Sequence, residues 1–288
     1  MTSTIAEELR QEAARLDIRT RLDEERRIDT DRLCEYVRHG PLLEALFDGP
    51  LDRRDIEAAL GVSRATSHRF TRWLEDEGLA TKVDGEFALT GQGEVIAEEI
   101  LRFELHVAAA QRLAPLLSSI CENHKEFVIE PFADATVTTA DPADPYRPVR
   151  RFVSLVEASA TLRGFNTTAM APLTMETFYE RLFEEMETEF VYLPNAVDAL
   201  LATYPEQAGR VLETGRLTLF TREALPYGLA LFDDRVGIGG YDEETGLLHV
   251  FVDTDASRAR DWAEQVYDLF KADSDPLEGV AGLDAERE

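Results

Sequence analysis

Apolar residues recur at helical spacing through the first part of this chain, and from Phe127 onward they change to runs that alternate with helical segments. Ile5, Leu9, Ala13 and Leu16 form one stripe and Leu33, Tyr36 and Val37 another, which predicts a helical N-terminal arm over residues 1–39. Gly40-Pro41 then opens a helix whose core side is Leu42, Leu43, Leu46 and Phe47.

Residues 51–89 carry the strongest local signals. Asp52 is an N-cap with Asp55 in the first turn, and Leu51 before it forms a hydrophobic staple with Ile56. Ile56, Ala59 and Leu60 share one face, and Gly61 supplies the positive φ that a helix end requires. Ser63 caps a second helix with Ser67, Phe70, Trp73 and Leu74 inward. Its outward stripe is Arg64, His68 and Arg72, flanked by Ala65 and Arg69, and acids resume only at Glu75, Asp76 and Glu77. Leu79, Thr81 and Val83 alternate into Asp84-Gly85, a two-residue hairpin signal, and Phe87 and Leu89 alternate back. Helix, turn, helix and hairpin in this order predict a winged helix-turn-helix over residues 40–90. Double-stranded DNA is the partner this implies, because the major groove admits one helix whose N-terminal side chains reach base edges. The candidate contacts are Arg53, Arg54, Ser63, Arg64, Ala65, Thr66, His68, Arg69, Arg72 and Lys82. Arg64 is placed for guanine or phosphate, and Arg69 and Arg72 for phosphate. The competing reading is an amphipathic helical pair whose arginine stripe is only a solvated face.

After the hairpin, Thr90 caps a long helix in which Val95, Ile96, Ile100, Leu101, Phe103, Leu105 and Val107 spread beyond one narrow stripe. Such a helix, in the segment 91–120, needs a partner. A second copy is the expectation, since helix-turn-helix dimers place two reading helices one DNA turn apart, with packing on the N-terminal arm as the alternative. Pro115 ends or kinks it.

Strands are expected at residues 135–139, 162–165, 189–192, 217–220, 228–232, 236–241 and 247–252, and helices at 148–158, 175–187, 196–203, 205–214 and 257–272. Residues 140–146, ADPADPY, read as a linker. The alternation predicts a C-terminal α/β domain over 127–272 with a mixed sheet and a late antiparallel meander, and residues 273–288 read as a disordered tail. The fold class is therefore an α+β multidomain chain. No internal repeat is present.

Composition changes the picture in one respect. A net charge of −27 has the wrong sign for a DNA binder. Lysine occurs only at positions 82, 125 and 271, so 27 of the 30 basic residues are arginine, against 57 acids. A lysine-poor, acid-rich surface suits multimolar salt, where the Debye length falls to about 3 Å at 1 M and self-repulsion is screened. The alternative, an acidic partner-binding or nucleic-acid-mimicking surface, predicts acids concentrated in one region. They run instead through both halves of the chain. Cys34 and Cys121 imply no disulfide framework, and neither a signal peptide nor a membrane span is expected, which points to the cytoplasm.

Catalytic signatures are absent from the sequence: it has no P-loop, GxSxG, HExxH or paired CxxC, and its five histidines lack metal-ligand spacing. No cofactor, metal or catalytic residue is expected. Gly237, Gly239 and Gly240 superficially suggest a dinucleotide loop but lack the following helix, so strand glycines at a close approach are the better reading. If the α/β domain binds an effector, ligands sit at the carboxyl ends of strands, where Arg163, Asn166 and Thr167 suit an anion or polyol. The bland alternative pairs Arg163 with an acid such as Glu157.

The blocks SRATSHRFTRWLEDEGL, DGEFALTGQGEVIAEEI, DATVTTADPADPYRPVRRFVSLV, LPYGLALFDDRVGIGGYDEETGLLHVFV and RARDWAEQVYDLF cover much of residues 40–272. They resemble the halophilic-archaeal winged-helix regulators whose C-terminal domain is shared with the regulator of methanogen filament formation. The resemblance implies a transcriptional regulator with an N-terminal DNA-binding domain and a C-terminal sensor or partner domain, and it names no effector. Thr71, Trp73 and His68 depart from the usual pattern of that helix. The α/β pattern also resembles phospholipase D-like domains, which use an HxK motif; here His249 is followed at that distance by Phe251, which removes the chemistry. The leading expectation is a homodimeric, sequence-specific transcription factor modulated by a small molecule or protein through its C-terminal domain. The alternative is a regulator acting mainly through that acidic domain, and an enzyme ranks third.

Overall fold

The computed structural model describes residues 28–120, 127–168, 180–181, 186–203, 205–206, 210, 213–242 and 245–277. Most of the expected helix at 175–187, half of that at 205–214, and the arm before residue 28 lie outside them. The described residues up to Ala108 form one compact unit and those from Ala109 another.

In the first unit α1 (Thr30–Arg38), α2 (Gly40–Phe47), α3 (Arg53–Leu60) and α4 (Arg64–Asp76) precede a hairpin of β1 (Ala80–Val83) and β2 (Glu86–Leu89). The long α5 (Gly91–Arg112) follows. The core gathers Tyr36, Leu42, Leu43, Leu46, Ile56, Leu74, Leu79, Phe87 and Ala97. Tyr36 therefore ties α1 into this unit rather than leaving it in a separate arm. Phe47, expected inward, is exposed, because α2 stops there and its side chain lies past the core. Ala59 is exposed as well, while Ile56 is buried and Leu60 packs half-buried against the same core. Leu51 serves a second purpose beside packing: its backbone exchanges hydrogen bonds with Phe87, 3.1 and 2.8 Å, which ties the entry to α3 to the hairpin.

The second unit is built on an eight-stranded mixed sheet of order β10-β6-β5-β4-β7-β8-β9-β3. Its strands are β3 (Thr136–Thr139), β4 (Thr161–Asn166), β5 (Glu187–Tyr192), β6 (Leu217–Thr221), β7 (Gly228–Leu231), β8 (Val236–Tyr241), β9 (Leu248–Thr254) and β10 (Asp275–Pro276). β4, β5 and β6 run parallel, and β7, β8 and β9 form the antiparallel meander. One face is covered by α7 (Arg147–Ala158) and α8 (Pro194–Thr203). The other is covered by α6 (Ala114–Ser119) and α9 (Ser257–Ala272), whose Trp262 and Tyr267 are almost fully buried. Burial on both faces explains why β7 and β8 read as continuous apolar runs.

Two expectations are corrected. Residues 140–146, read as a linker, form a turn closed by the Asp141–Asp144 bridge and leading into α7. The start of the expected tail is part of the sheet: Asp275–Pro276 adds an edge strand to β6, and the Leu277 amide donates to the Leu219 carbonyl at 2.9 Å, while residues 278–288 lie outside the described residues. Backbone pairing and the packing of Leu277 on the core together hold this acidic stretch. Pro115 acts as expected, starting α6 just after α5 ends.

Gly237 and Gly240 are β8 residues. A Cβ on Gly237 would stand 2.2 Å from the Phe251 ring and one on Gly240 2.7 Å from Ser119, so these glycines admit neighbouring side chains rather than a nucleotide.

Candidate nucleic-acid interface

Local chemistry sets the frame of the first unit. Asp52 accepts from the amides of Arg54 (2.7 Å) and Asp55 (2.9 Å), and Asp55 returns a bond to the Asp52 amide, completing a capping box. The Asp55 amide, ahead of that of Arg54, holds the Asp52 carboxyl below its ordinary pKa. Gly61 closes α3 at φ 62°, a left-handed backbone that favours glycine. Ser63 then caps α4, accepting from the Thr66 amide at 3.3 Å. Asp84 (φ 52°) and Gly85 (φ 99°) make the paired left-handed turn that joins β1 to β2.

On this frame α4 has three distinct sides. Ser67, Thr71 and Leu74 point into the core. The Ser67 hydroxyl donates to the Arg53 carbonyl at 3.3 Å, and Thr71 donates to the His68 carbonyl at 3.2 Å while accepting from Arg53 Nε at 3.4 Å. Phe70 and Trp73, expected inward, pack half-buried against the edge of that core and form a second side. Arg64, Ala65, His68, Arg69 and Arg72 form the third, an exposed and shallow surface. Among the described residues Arg64 has no carboxylate partner, and Arg72 has only a loose surface contact with Asp76 at 3.6 Å.

The flanking candidates divide. Arg54 is exposed beside the cap of α3. The guanidinium of Arg53 and the ammonium of Lys82 lie 5.7 and 5.4 Å from the Phe87 ring, so both cations are steadied by the aromatic that anchors the hairpin. Thr66 is half-buried, with its hydroxyl 3.1 Å from that of Ser63. Thr71 was missed as an inward residue. Its helical spacing from Ser67 and Leu74 could have found it, but a threonine in a helix gives no apolar signal.

The expected effector cluster does not assemble. Along β4, side chains alternate between sheet faces, so Arg163 and Asn166 point to opposite sides. Arg163 meets Glu264 of α9 at 3.4 Å and lies 5.7 Å over the Tyr267 ring; the acid it pairs with is thus not Glu157. Asn166 donates to the Tyr241 hydroxyl at 2.7 Å and accepts from the Thr168 amide at 3.4 Å. Thr167 follows β4, half-exposed. The cavity beside Asn166 and Tyr241, walled by Phe152, Phe190 and Phe251, holds about 20 Å³, room for about one water. Burial pushes the Tyr241 phenol up to about 12 against the lowering effect of Asn166.

Among the described residues no group of three or more His, Cys, Asp or Glu side chains gathers as metal ligands. Nor is any helix there long and apolar enough to cross a membrane. His249 is exposed on β9 while Phe251 is buried.

Two segments match known domain families. Residues 145–273 match the middle domain of the methanogenesis regulatory protein FilR1, and residues 27–112 match the HVO_A0261 N-terminal domain. No curated protein matches the chain. Among solved structures, TrmBL2, described as an archaeal chromatin protein with a novel mode of DNA binding, is 12% identical at a TM-score of 0.41, over 86% of this chain and all of that one. NucT from Helicobacter pylori is 10% identical at 0.40, over 50% of this chain and 98% of its own. The phospholipase D family member Nuc from Salmonella typhimurium is 12% identical at 0.41, over 50% and 99%.

Proposed function

We propose that the protein is a homodimeric, sequence-specific DNA-binding transcriptional regulator of a salt-accumulating archaeal cytoplasm, with residues 40–90 as a winged helix-turn-helix and the α/β domain modulating it through a small molecule or protein. The observation that carries this is the outer side of α4. In a chain of net charge −27, Arg64, His68, Arg69 and Arg72 stand together on one exposed helix face with no acid before Glu75. The match of residues 145–273 to a domain of a regulatory protein supports the same reading. In this account α4 enters the major groove. Arg64, in its first turn, reaches a guanine edge, and Arg69 and Arg72 hold phosphates. Arg54 and Lys82 flank them, with the β1–β2 hairpin as the wing. The protein works by binding, without a catalytic step or cofactor; Phe251 two residues after His249 supports that view for the sheet domain.

The exposed Val95, Phe103, Leu105 and Val107 of α5 support assembly through a second copy, since a helix apolar on several sides needs a partner. Part of that helix is already used within the chain, where Ala97, Ile96 and Ile100 join the core of the first unit.

The test is selection of bound duplexes from a random library, followed by fluorescence anisotropy from 0.1 to 3 M KCl with folding monitored in parallel. Carboxylate repulsion from the duplex is screened to about 3 Å at 1 M. Specific binding is expected to persist at or above 1 M and to weaken at 0.1 M. Steep loss of affinity with rising salt would mark ordinary phosphate neutralisation and reject the salt-adaptation reading. Failure to enrich any duplex would favour the partner-binding alternative.

A further inference from the structure

The side of α4 that carries Phe70 and Trp73, where Arg69 also leans over the Phe70 ring at 5.8 Å, is gripped by α1 and the junction that follows it. Phe70, Trp73 and Glu77, spaced along one line of the helix, each meet a residue of that segment. His39 stacks on Trp73 with ring centroids 3.9 Å apart and planes 10° from parallel, and meets Phe70 edge-on at 5.1 Å. Tyr36 meets Trp73 edge-on at 6.0 Å. At the end of α4, Glu77 accepts from Arg32 Nη2 at 2.8 Å, from Arg32 Nε at 3.1 Å and from the Tyr36 hydroxyl at 3.2 Å.

The orientation of His39 is itself fixed. Its Nδ1 lies 2.8 Å from the Glu35 carbonyl oxygen, which can only accept, so Nδ1 carries the proton and donates. The ring is 8% exposed and occupies the N-cap of α2, so one buried imidazole joins the end of α1, the start of α2 and the middle of α4. Rotation of α4 about its axis would slide Trp73 off this ring and break the bonds at Glu77.

We infer that Arg32, Tyr36 and His39 are positioning residues for DNA recognition: they fix the rotation of α4 and thereby set its sequence specificity. The inference rests on the DNA-binding reading and adds that α1 controls how well the helix reads. The physical ground is a difference in tolerance. Hydrogen bonds to base edges need a helix held in one orientation, whereas long arginine side chains can follow phosphates through a modest rotation. Loosening the grip should therefore lower affinity for the selected sequence more than affinity for an arbitrary one.

The experiment measures anisotropy on a selected duplex and on a scrambled duplex of equal length, with thermal unfolding alongside. The variants are His39→Leu, Arg32→Glu and the exchanged pair Arg32→Glu with Glu77→Arg. A flat aromatic contact of this kind corresponds to about three- to tenfold in an equilibrium constant, so His39→Leu should cut the specificity ratio by about that factor, with scrambled-duplex affinity nearly unchanged. Arg32→Glu should cut it less, and the exchange should restore most of the loss. Should His39→Leu fail to fold, the partly exposed Arg32–Glu77 pair carries the test alone. An unchanged ratio in variants that only melt earlier, or a parallel fall on both duplexes, would overturn the positioning role while leaving DNA binding intact. A wild-type protein with no preference for any duplex would remove the DNA reading and this inference together.

Discussion

On α4 the arginines face outward and Arg64 meets no carboxylate among the described residues, whereas in the sheet unit Arg151 and Arg235 close on one buried acid, Asp253. Arg151 donates to both Asp253 oxygens, at 2.9 and 2.7 Å, and Arg235 donates from Nε at 3.0 Å with its Nη2 in ionic contact at 2.8 Å. Arg163 and Arg260 likewise meet Glu264, and Lys271 meets Glu189 at 2.7 Å. The same residue type therefore does two jobs. In the sheet unit it neutralises acid across the fold, and on α4 it is presented to solvent. In a chain this acidic an exposed arginine finds a carboxylate easily, so a helix face on which Arg64 meets none and Arg72 only the loose contact with Asp76 is the feature that needs a functional account.

The largest expected effect lies on the paired side of this contrast. Asp253→Ala leaves two guanidiniums without their shared carboxylate and should destabilise the sheet unit by about 3 kcal/mol, the low end for a broken buried pair because both arginines keep part of their surface in water. Denaturant unfolding in concentrated KCl measures it, and a loss no larger than that of a surface acid such as Glu75→Ala would dissolve the distinction between the two sets of arginines. Phe103→Glu, on the exposed part of α5, should convert the proposed dimer to a monomer at micromolar concentration while leaving each fold intact. Light scattering that finds an unmutated monomer would remove the assembly from the account. Ser63→Ala should cost about 1 kcal/mol of stability in the first unit by removing the cap of α4. A neutral result would mean that packing, not capping, sets the start of that helix.

The sheet unit also carries a pH dependence. The Tyr241 phenol is raised by burial to about 12, so the folded state holds its proton more tightly than the unfolded chain, whose tyrosines release it near 10. The contribution of Tyr241 is then fully present below pH ~10 and lost as pH rises toward ~12. Tyr241→Phe should flatten that part of the alkaline unfolding curve, and an unchanged slope would show that the site is wetter than its geometry implies.

The two units also differ in how far they could be read from the sequence. The first is set by signals a few residues apart: Asp52 with Asp55, Gly61, Ser63 with Thr66, and Asp84 with Gly85. Those positions hold in the structure, as does the outward arginine stripe. The strands of the second unit follow from hydrophobic runs, but its polar contacts join residues far apart in the chain, such as Arg151 with Asp253 and Tyr267 with Glu189. No periodicity encodes such pairs. Arg163 and Asn166 lie three residues apart on one strand, and the pleat puts them on opposite faces. The His39–Trp73 stack was likewise invisible, because a histidine at a helix junction and a tryptophan inside a helix show no shared pattern until the fold brings them together.

The central claim, that the outer side of α4 reads DNA, is tested most directly by anisotropy on a selected duplex in 2 M KCl with the wild type and the Arg64→Ala, Arg72→Ala double variant. Both side chains are exposed, so the variant should fold with an unchanged melting temperature. Loss of the guanine contact alone should weaken binding by about 1 to 3 kcal/mol and relax discrimination at one base pair, with a further sequence-independent loss from the phosphate contact. Full-strength, fully selective binding by the double variant would contradict the account.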